Sequence, residues 1–298
     1  MLRSMKELES YAIGATDGVI GQVKDLYFDD ESWVIRYLVV ETGRWLLSRC
    51  VLISPIALGE PNWSEKVLPA SITCEQVRGS PDIDTDRPVS RQHEMGYLAY
   101  YGYPYYWGGS GLWGGSAFPG ALLAPPPSHG ESNSQYRNEQ ARRAQEQLMA
   151  EAERHQGDDP HLRSGNKITT YDVHATDGDL GHVAGLLVDE HTWEICYFVI
   201  NTGNWWLGHE VLIAPNWITG FDWEACKVSV GMTRVSVKNS PPHETNTIID
   251  RKHEGVLNAH YGQFAYWQRE AEAYARSSTQ RSEGRRQDVT AELHGKER

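Results

Sequence analysis

The chain has 298 residues, 40% of them hydrophobic and 23% charged, a length and composition that predict about two soluble globular domains and exclude disorder throughout. Its 28 Lys and Arg against 40 Asp and Glu give a net charge of −12, so polyphosphate and anionic lipid are repelled unless a local basic patch reverses the sign. By segment the charge is −5 for residues 1–107, −3 for 108–161, −5 for 162–267 and +1 beyond, so no nucleic-acid partner is expected.

The opening MLRSMKELES carries Lys and Arg with no apolar stretch behind them. Neither a secretory signal nor an anchor helix is expected, and the expected compartment is the cytoplasm. Cys50, Cys74, Cys196 and Cys226 form no C-x-x-C pair and have no His at zinc-finger spacing, so they read as small hydrophobes.

At an offset of 160, residues 2–107 align with 162–267 without a gap, and 38 of the 106 positions are identical. That period far exceeds a solenoid repeat and predicts two complete modules, each with its own core. The expected division is module one at 1–107, a Gly/Pro-rich and helical linker at 108–161, module two at 162–267, and a polar tail at 268–298. No cysteine recurs between the copies; Cys196, for example, faces Arg36.

Within the first copy, residues 19–28, 33–40 and 45–53 alternate or run apolar with Val, Ile, Tyr and Trp, which predicts antiparallel strands. Asp17-Gly18, Asp29-Asp30-Glu31 and Thr42-Gly43 separate them, and their second-copy partners are Asp177-Gly178, Asp189-Glu190-His191 and Thr202-Gly203. Asp and Gly tolerate the positive φ of tight hairpins. A further strand is expected at 67–72, and Thr73-Cys74-Glu75-Gln76 has the form of a helix-capping box that the second copy lacks. A short helix is expected from Arg91 to Tyr101 and from Arg251 to Tyr261, ending at Gly102 and Gly262. Many short strands with little helix predict a mainly β chain of two small antiparallel barrels, closed or nearly so.

Several of these motifs resemble the PRC-barrel family: A-T-D-G-x-x-G-x-V from Ala15, the D-x-x-x-W-x-I-x-Y-x-V-V strand pair, T-G-x-W-x-L, and V-L-I-S-P. The R-x-H-E-x-x-x-x-A-x-Y-G-x-x-x-Y-W segments, from Arg91 and Arg251, are similar to the tail of two-barrel bacterial proteins of that family. The resemblance implies tandem barrels and a docking role. The cytoplasmic domain of the photosynthetic reaction centre H subunit and the C-terminal domain of a ribosome-maturation factor both use the barrel to bind other proteins. Fold alone does not specify an activity.

His93-Glu94 and His253-Glu254 recur, and a His beside a carboxylate can relay protons or ligate metal. A helical zinc hydrolase needs H-E-x-x-H, but Tyr97 and Leu257 stand where the second His belongs. The pairs are therefore expected to tie the short helix to its barrel. Asp82, Asp84 and Asp86 begin a calcium-loop spacing, yet Arg87 and His93 replace its Gly and Glu, so a solvated acidic turn is expected. No phosphate-loop, nucleophile-elbow or dinucleotide motif occurs. No catalytic, cofactor or metal residue is assigned. The candidate interaction or docking residues are Arg91, His93, Glu94, Tyr101, Tyr106 and Trp107, with Arg251, His253, Glu254, Tyr261, Tyr266 and Trp267.

Between Tyr97 and Phe118 lie six Tyr, two Trp and one Phe among many glycines. Such a segment can stack on a partner or on the other barrel, or cover its own barrel and continue as a flexible connector. Pro104, Pro119 and the glycines oppose a membrane-spanning helix. Residues 135–154 predict a thin-striped amphipathic helix, and the tail beyond 276 is expected to fray.

The leading expectation is a non-enzymatic binding or scaffold protein whose barrels face each other as a pseudo-dimer, meet a bivalent protein partner, or assemble as a homo-oligomer. The resemblance adds two alternatives: a peripheral component of a membrane electron- or proton-transfer complex, and a ribosome-associated assembly factor acting through a ribosomal protein.

Overall fold

The computed structural model describes residues 1–81, 89, 91–107, 111–123, 161–203, 209–244 and 249–262. The expected linker helix, the Asp82–Asp84–Asp86 turn and the tail lie outside the described residues. The first copy runs Leu2–Ser4 (β1), Met5–Leu8 (α1), Ala12–Ala15 (β2), Gly18–Asp29 (β3), Val34–Thr42 (β4), Cys50–Ile53 (β5), Val67–Pro69 (β6), Cys74–Arg78 (α2) and Arg91–Tyr101 (α3). The second runs Leu162–Ser164 (β7), Gly165–Ile168 (α4), Asp172–Ala175 (β8), Gly178–Asp189 (β9), Ile195–Asn201 (β10), Glu210–Ile213 (β11), Ile218–Asp222 (β12), Lys227–Val230 (β13), Arg234–Lys238 (α5) and Arg251–His260 (α6).

These strands form two sheets, ordered β5-β4-β3-β2-β6 and β11-β10-β9-β8-β13-β12. The chain is mainly β, as its alternation predicts, but neither sheet closes on itself. Nor are the sheets purely antiparallel: β6 runs parallel to β2 and β13 parallel to β8. The cause is the path after β5 and β11. The turns Pro55–Ala57 and Pro215–Trp217 carry the chain across to the far edge, where β6 and, after the intervening β12, β13 run in the direction of β2 and β8. The strand expected at 45–53 is shorter, Cys50–Ile53. Ahead of it Arg44–Leu46 is a 3-10 turn, and Leu47 and Ser48 have φ of 56° and 57°. Trp45 turns inward instead of extending the strand, its Nε1 donating to the Ile20 carbonyl at 2.9 Å.

The capping box is present: Thr73 Oγ1 accepts from Gln76 N and Gln76 Oε1 accepts from Thr73 N, at 3.1 and 2.8 Å. In the second copy Thr233 caps Ser236 N without the return bond. The helices α3 and α6 end as expected, with Gly102 and Gly262 at φ of 69° and 63°.

The first strand of each copy belongs to the other copy's sheet. β1 pairs with β9, Leu2 opposite Asp189, and β7 pairs with β3, Leu162 opposite Asp29. β3 is long enough to host two neighbours on one edge, β2 along Gly18–Gln22 and β7 along Tyr27–Asp29. The last four residues of β3 are buried without alternation, so both faces of the sheet are covered there.

The exchange is reciprocal in detail. Ile35 N donates to Trp193 O at 2.8 Å and Ile195 N to Trp33 O at 2.7 Å. Arg3 meets Glu190 at 2.9 Å and Arg163 meets Asp30 at 2.7 Å. Each guanidinium also lies over an indole, Arg3 on Trp63 at 3.9 Å and Arg163 on Trp223 at 4.4 Å. Asp29 and Asp189 each accept two turn N–H groups, so these carboxylates shape hairpins. Between the sheets Trp33 packs on Phe28, Phe198 and Phe221 at ring distances of 5.5, 5.4 and 4.9 Å, inside one continuous apolar core.

Gly21 and Gly181 sit where the central strands are closest. A Cβ there would lie 2.0 Å from Glu41 O and 1.9 Å from Asn201 O, and Gly181 has φ of 147°. Gly21→Ala and Gly181→Ala are expected to cost about 1–3 kcal/mol each, Gly181→Ala the more. Urea titration checks this, and an unchanged midpoint would contradict it.

Candidate functional site

The two duplicated His-Glu pairs divide their roles. Glu94 is inside, with 1% of its surface exposed, and its carboxylate accepts from the Tyr106 hydroxyl. Its other oxygen lies 2.9 Å from His161 Nε2, from the residue leading into β7. Burial, then the adjoining Glu94 charge, pushes the Tyr37 hydroxyl well above its ordinary range. Glu254 repeats the theme more loosely, taking the Tyr197 hydroxyl at 3.3 Å and Arg251 at 3.6 Å. Glu94 therefore ties α3 to Tyr106 and to the residue leading into β7, and Glu254 ties α6 to β10, whereas the expectation was that each whole His-Glu pair holds its helix to its own module.

The histidines do not share that task. His93 is exposed, and His253 is tethered to its own N-cap, ring Nδ1 to Asp250 Oδ1 at 2.6 Å. An i, i+1 pair on a helix cannot face the same way, so burying the Glu turns the His outward. The hollow bordered by His93, Glu94 and Tyr97 measures about 10 Å³, about one water and too small for a substrate. Among the described residues no three His, Cys, Asp or Glu side chains are grouped to hold a metal.

Tyr101 and Tyr261 occupy matching positions beside Ser80 and Ser240. Burial pushes both hydroxyls up to about 12, with the serines pulling the other way. Because the fold favours the neutral phenols, their contribution to stability is complete below pH 10 and is lost as pH rises toward 12. Stability followed by urea unfolding is expected to fall over that window and to fall less in Tyr101→Phe/Tyr261→Phe. A flat profile in the unaltered protein would contradict it. The Arg91 side chain, Tyr266 and Trp267 lie outside the described residues.

The aromatic segment covers its own half and reaches the other. Trp113 is fully buried, and its Nε1 donates to Thr192 O at 2.8 Å. Beneath it, Arg36 lies 3.9 Å from the Tyr106 ring and donates to Leu112 O at 2.7 Å and Ser32 Oγ at 2.9 Å. Asp29 is 3.6 Å away. Burial raises the Asp29 carboxyl, but Arg36 and the Ser32 and Glu31 N–H groups outweigh it and hold the group below its usual range. No helix among the described residues is long and apolar enough to cross a membrane.

The accessible site lies elsewhere, at the seam. A cleft of about 820 Å³ opens between Pro55, Leu58, Glu60, Pro61 and Trp63 of the first half, the segment at Phe118 and Pro119, and the β9–β10 turn from Asp189 to Glu194. Arg251 is also part of the lining. The walls mix proline and aromatic surface with Glu60, Asp189, Glu190 and Glu194 against Arg251; the Met1 amino group meets Asp189 and Glu190 and Arg3 also meets Glu190, so the acidic surplus of the rim rests on Glu60 and Glu194. On the matching side of the molecule Phe221 stands at the position of Pro61 and packs on Trp33, filling the corresponding space with aromatic rings. Motif-based reasoning missed this cleft because it assigned the recurring residues in its lining, among them Pro55, Asp189, Trp193 and Arg251, to strands, turns and a helix tie. The readable signal was the difference between copies, Pro61 against Phe221.

No protein-family model matches the chain, and no curated protein matches it.

Proposed function

We propose that this chain is a non-enzymatic binding or scaffold protein, a pair of PRC-barrel-like modules assembled as an intramolecular pseudo-dimer that receives a protein segment in the seam cleft. The carrying observation is that the cleft takes walls from both halves, whereas the duplicated carboxylates Glu94 and Glu254 are committed to internal ties. Its volume falls in the range of ligand sites, and proline and aromatic walls with an acidic rim suit an extended segment carrying basic and apolar side chains. An assembly factor acting through a basic ribosomal protein is a second reading, favoured by the same rim.

The test is Pro61→Phe, which copies the filled side. Fluorescence titration with Lys/Arg-Leu-Pro 12-residue peptides, and cross-linked capture in native cells, are expected to show binding by the unaltered protein that Pro61→Phe abolishes without lowering its melting temperature. Basic peptides binding the two proteins equally, or a turnover reaction abolished by one side-chain change, would overturn the proposal. Capture of ribosomal proteins would favour the second reading.

A further inference from the structure

Phe221, which has no aromatic counterpart in the first half, sits among rings. It stacks on Trp223 at 4.9 Å with the planes 10° apart, and lies 4.9 Å from Trp33 of the opposite half and 6.1 Å from Phe198. In the first half Leu58 bridges to Ala70 and Asn62 to Val67, repeating Ile218 with Val230 and Asp222 with Lys227, so Pro61 occupies the register of Phe221. Both tryptophans that would flank a ring there are present, Trp63 at the position of Trp223 and Trp193 at that of Trp33, and both line the seam cleft. We propose that this cleft is an aromatic-anchor site, in which the protein segment it receives inserts a phenylalanine side chain that stacks on Trp63 as Phe221 stacks on Trp223. The proposal rests on the seam being a binding cleft and names the side chain the cleft selects.

The surroundings of the two indoles carry the assignment. Trp223 has three ring partners: the Arg163 guanidinium at 4.4 Å, the edge of Tyr171 at 5.9 Å and the stacked Phe221. Trp63 repeats the first two, with Arg3 at 3.9 Å and Tyr11 at 5.7 Å. It has no stacked ring among the described residues, because the residue in that register is proline. Trp63 is half-buried whereas Trp193 is buried, so the accessible indole surface of the cleft is that of Trp63. An aromatic pair gains more than its buried area, since the ring quadrupoles favour offset and edge arrangements that a proline or an aliphatic chain cannot supply. At about 820 Å³ the cleft takes a ligand much larger than one phenyl group, which suits a ring carried on a chain. The anchor is uncharged, so its selection does not depend on the charge of the rim.

The probes are the Lys/Arg-Leu-Pro peptides in three versions that differ at one central residue, Leu, Phe or cyclohexylalanine, titrated into the full chain. Cyclohexylalanine is as bulky as Phe and more apolar, so burial alone would favour it, whereas ring stacking favours Phe. The Phe peptide is expected to bind about three- to tenfold more tightly than the cyclohexylalanine peptide, and the Leu peptide no more tightly than the latter. Trp63→Leu is expected to erase that preference while leaving the Leu peptide's affinity within about twofold. Should Trp63→Leu melt early, the Phe and cyclohexylalanine comparison on the unaltered protein still decides. Equal binding of the three peptides, still abolished by Pro61→Phe, would overturn the aromatic anchor and leave the seam a binding cleft. A Phe preference that persists in a folded Trp63→Leu would also overturn the anchor. Binding of none of them would overturn both.

Discussion

Replacing Glu94 by alanine is expected to lower folding stability by about 3–5 kcal/mol, because it strands largely buried partners. The Glu94 side chain has 0% exposure and His161 13%, so the lost carboxylate leaves the His161 ring and the Tyr106 and Tyr37 hydroxyls facing a void. Glu94→Gln keeps an acceptor and is expected to cost about 1–3 kcal/mol. Glu254→Ala is expected to fall in that lower range too. Its tyrosine contact is longer, at 3.3 Å, and Arg251, 61% exposed, is rehydrated when the carboxylate goes. Urea unfolding at neutral pH ranks the three variants. A cost for Glu94→Ala under about 1 kcal/mol would refute the tie that joins α3 to the residue leading into β7.

The second large effect concerns the exchanged strands. Leu162 is fully buried, belongs by sequence to the second copy, and hydrogen-bonds in the first copy's sheet. Leu162→Ala is expected to cost about 2–5 kcal/mol and to loosen β3 together with the second half. Hydrogen exchange read on peptides covering Gly18–Asp29 and Gly178–Asp189 is expected to show protection falling in both and a single unfolding transition. Protection lost only in the second peptide would mean that the halves unfold independently, against the reciprocal ladder of β1 on β9 and β7 on β3.

Much of the local structure was legible because short-range patterns carry their own physics. Asp29 and Asp189 read as turn formers and serve as such, accepting the N–H groups two and three residues on. Thr73 and Gln76 form the cap their spacing implies. Gly102 and Gly262 end their helices at positive φ. The strand readings erred where a local signal had two outcomes. Trp45 favours a strand by propensity, yet it is the plug that fastens a 3-10 turn to Ile20. Strand β1 is three residues long, too short to show a period, and is stabilised by a partner more than 180 positions away. The aromatic segment offered several readings. Only packing selected one, with Trp113 buried at Thr192 of the opposite half and Arg36 stacked beneath.

What the sequence determined by itself is the duplication, the acidic charge, the mainly β character, and the hairpin and capping chemistry. These follow from adjacency, periodicity and side-chain type, which act over a few residues or are printed twice in the chain. Tertiary structure alone decided that the first strands change partners, that Glu94 and Glu254 are buried while His93 and His253 stay exposed, and that an open cleft sits at the seam. Those outcomes depend on which edge of a twelve-residue strand stays uncovered and on whether Pro61 or Phe221 fills the space beside it. Such three-dimensional competitions between distant segments leave no periodic trace in the order of residues.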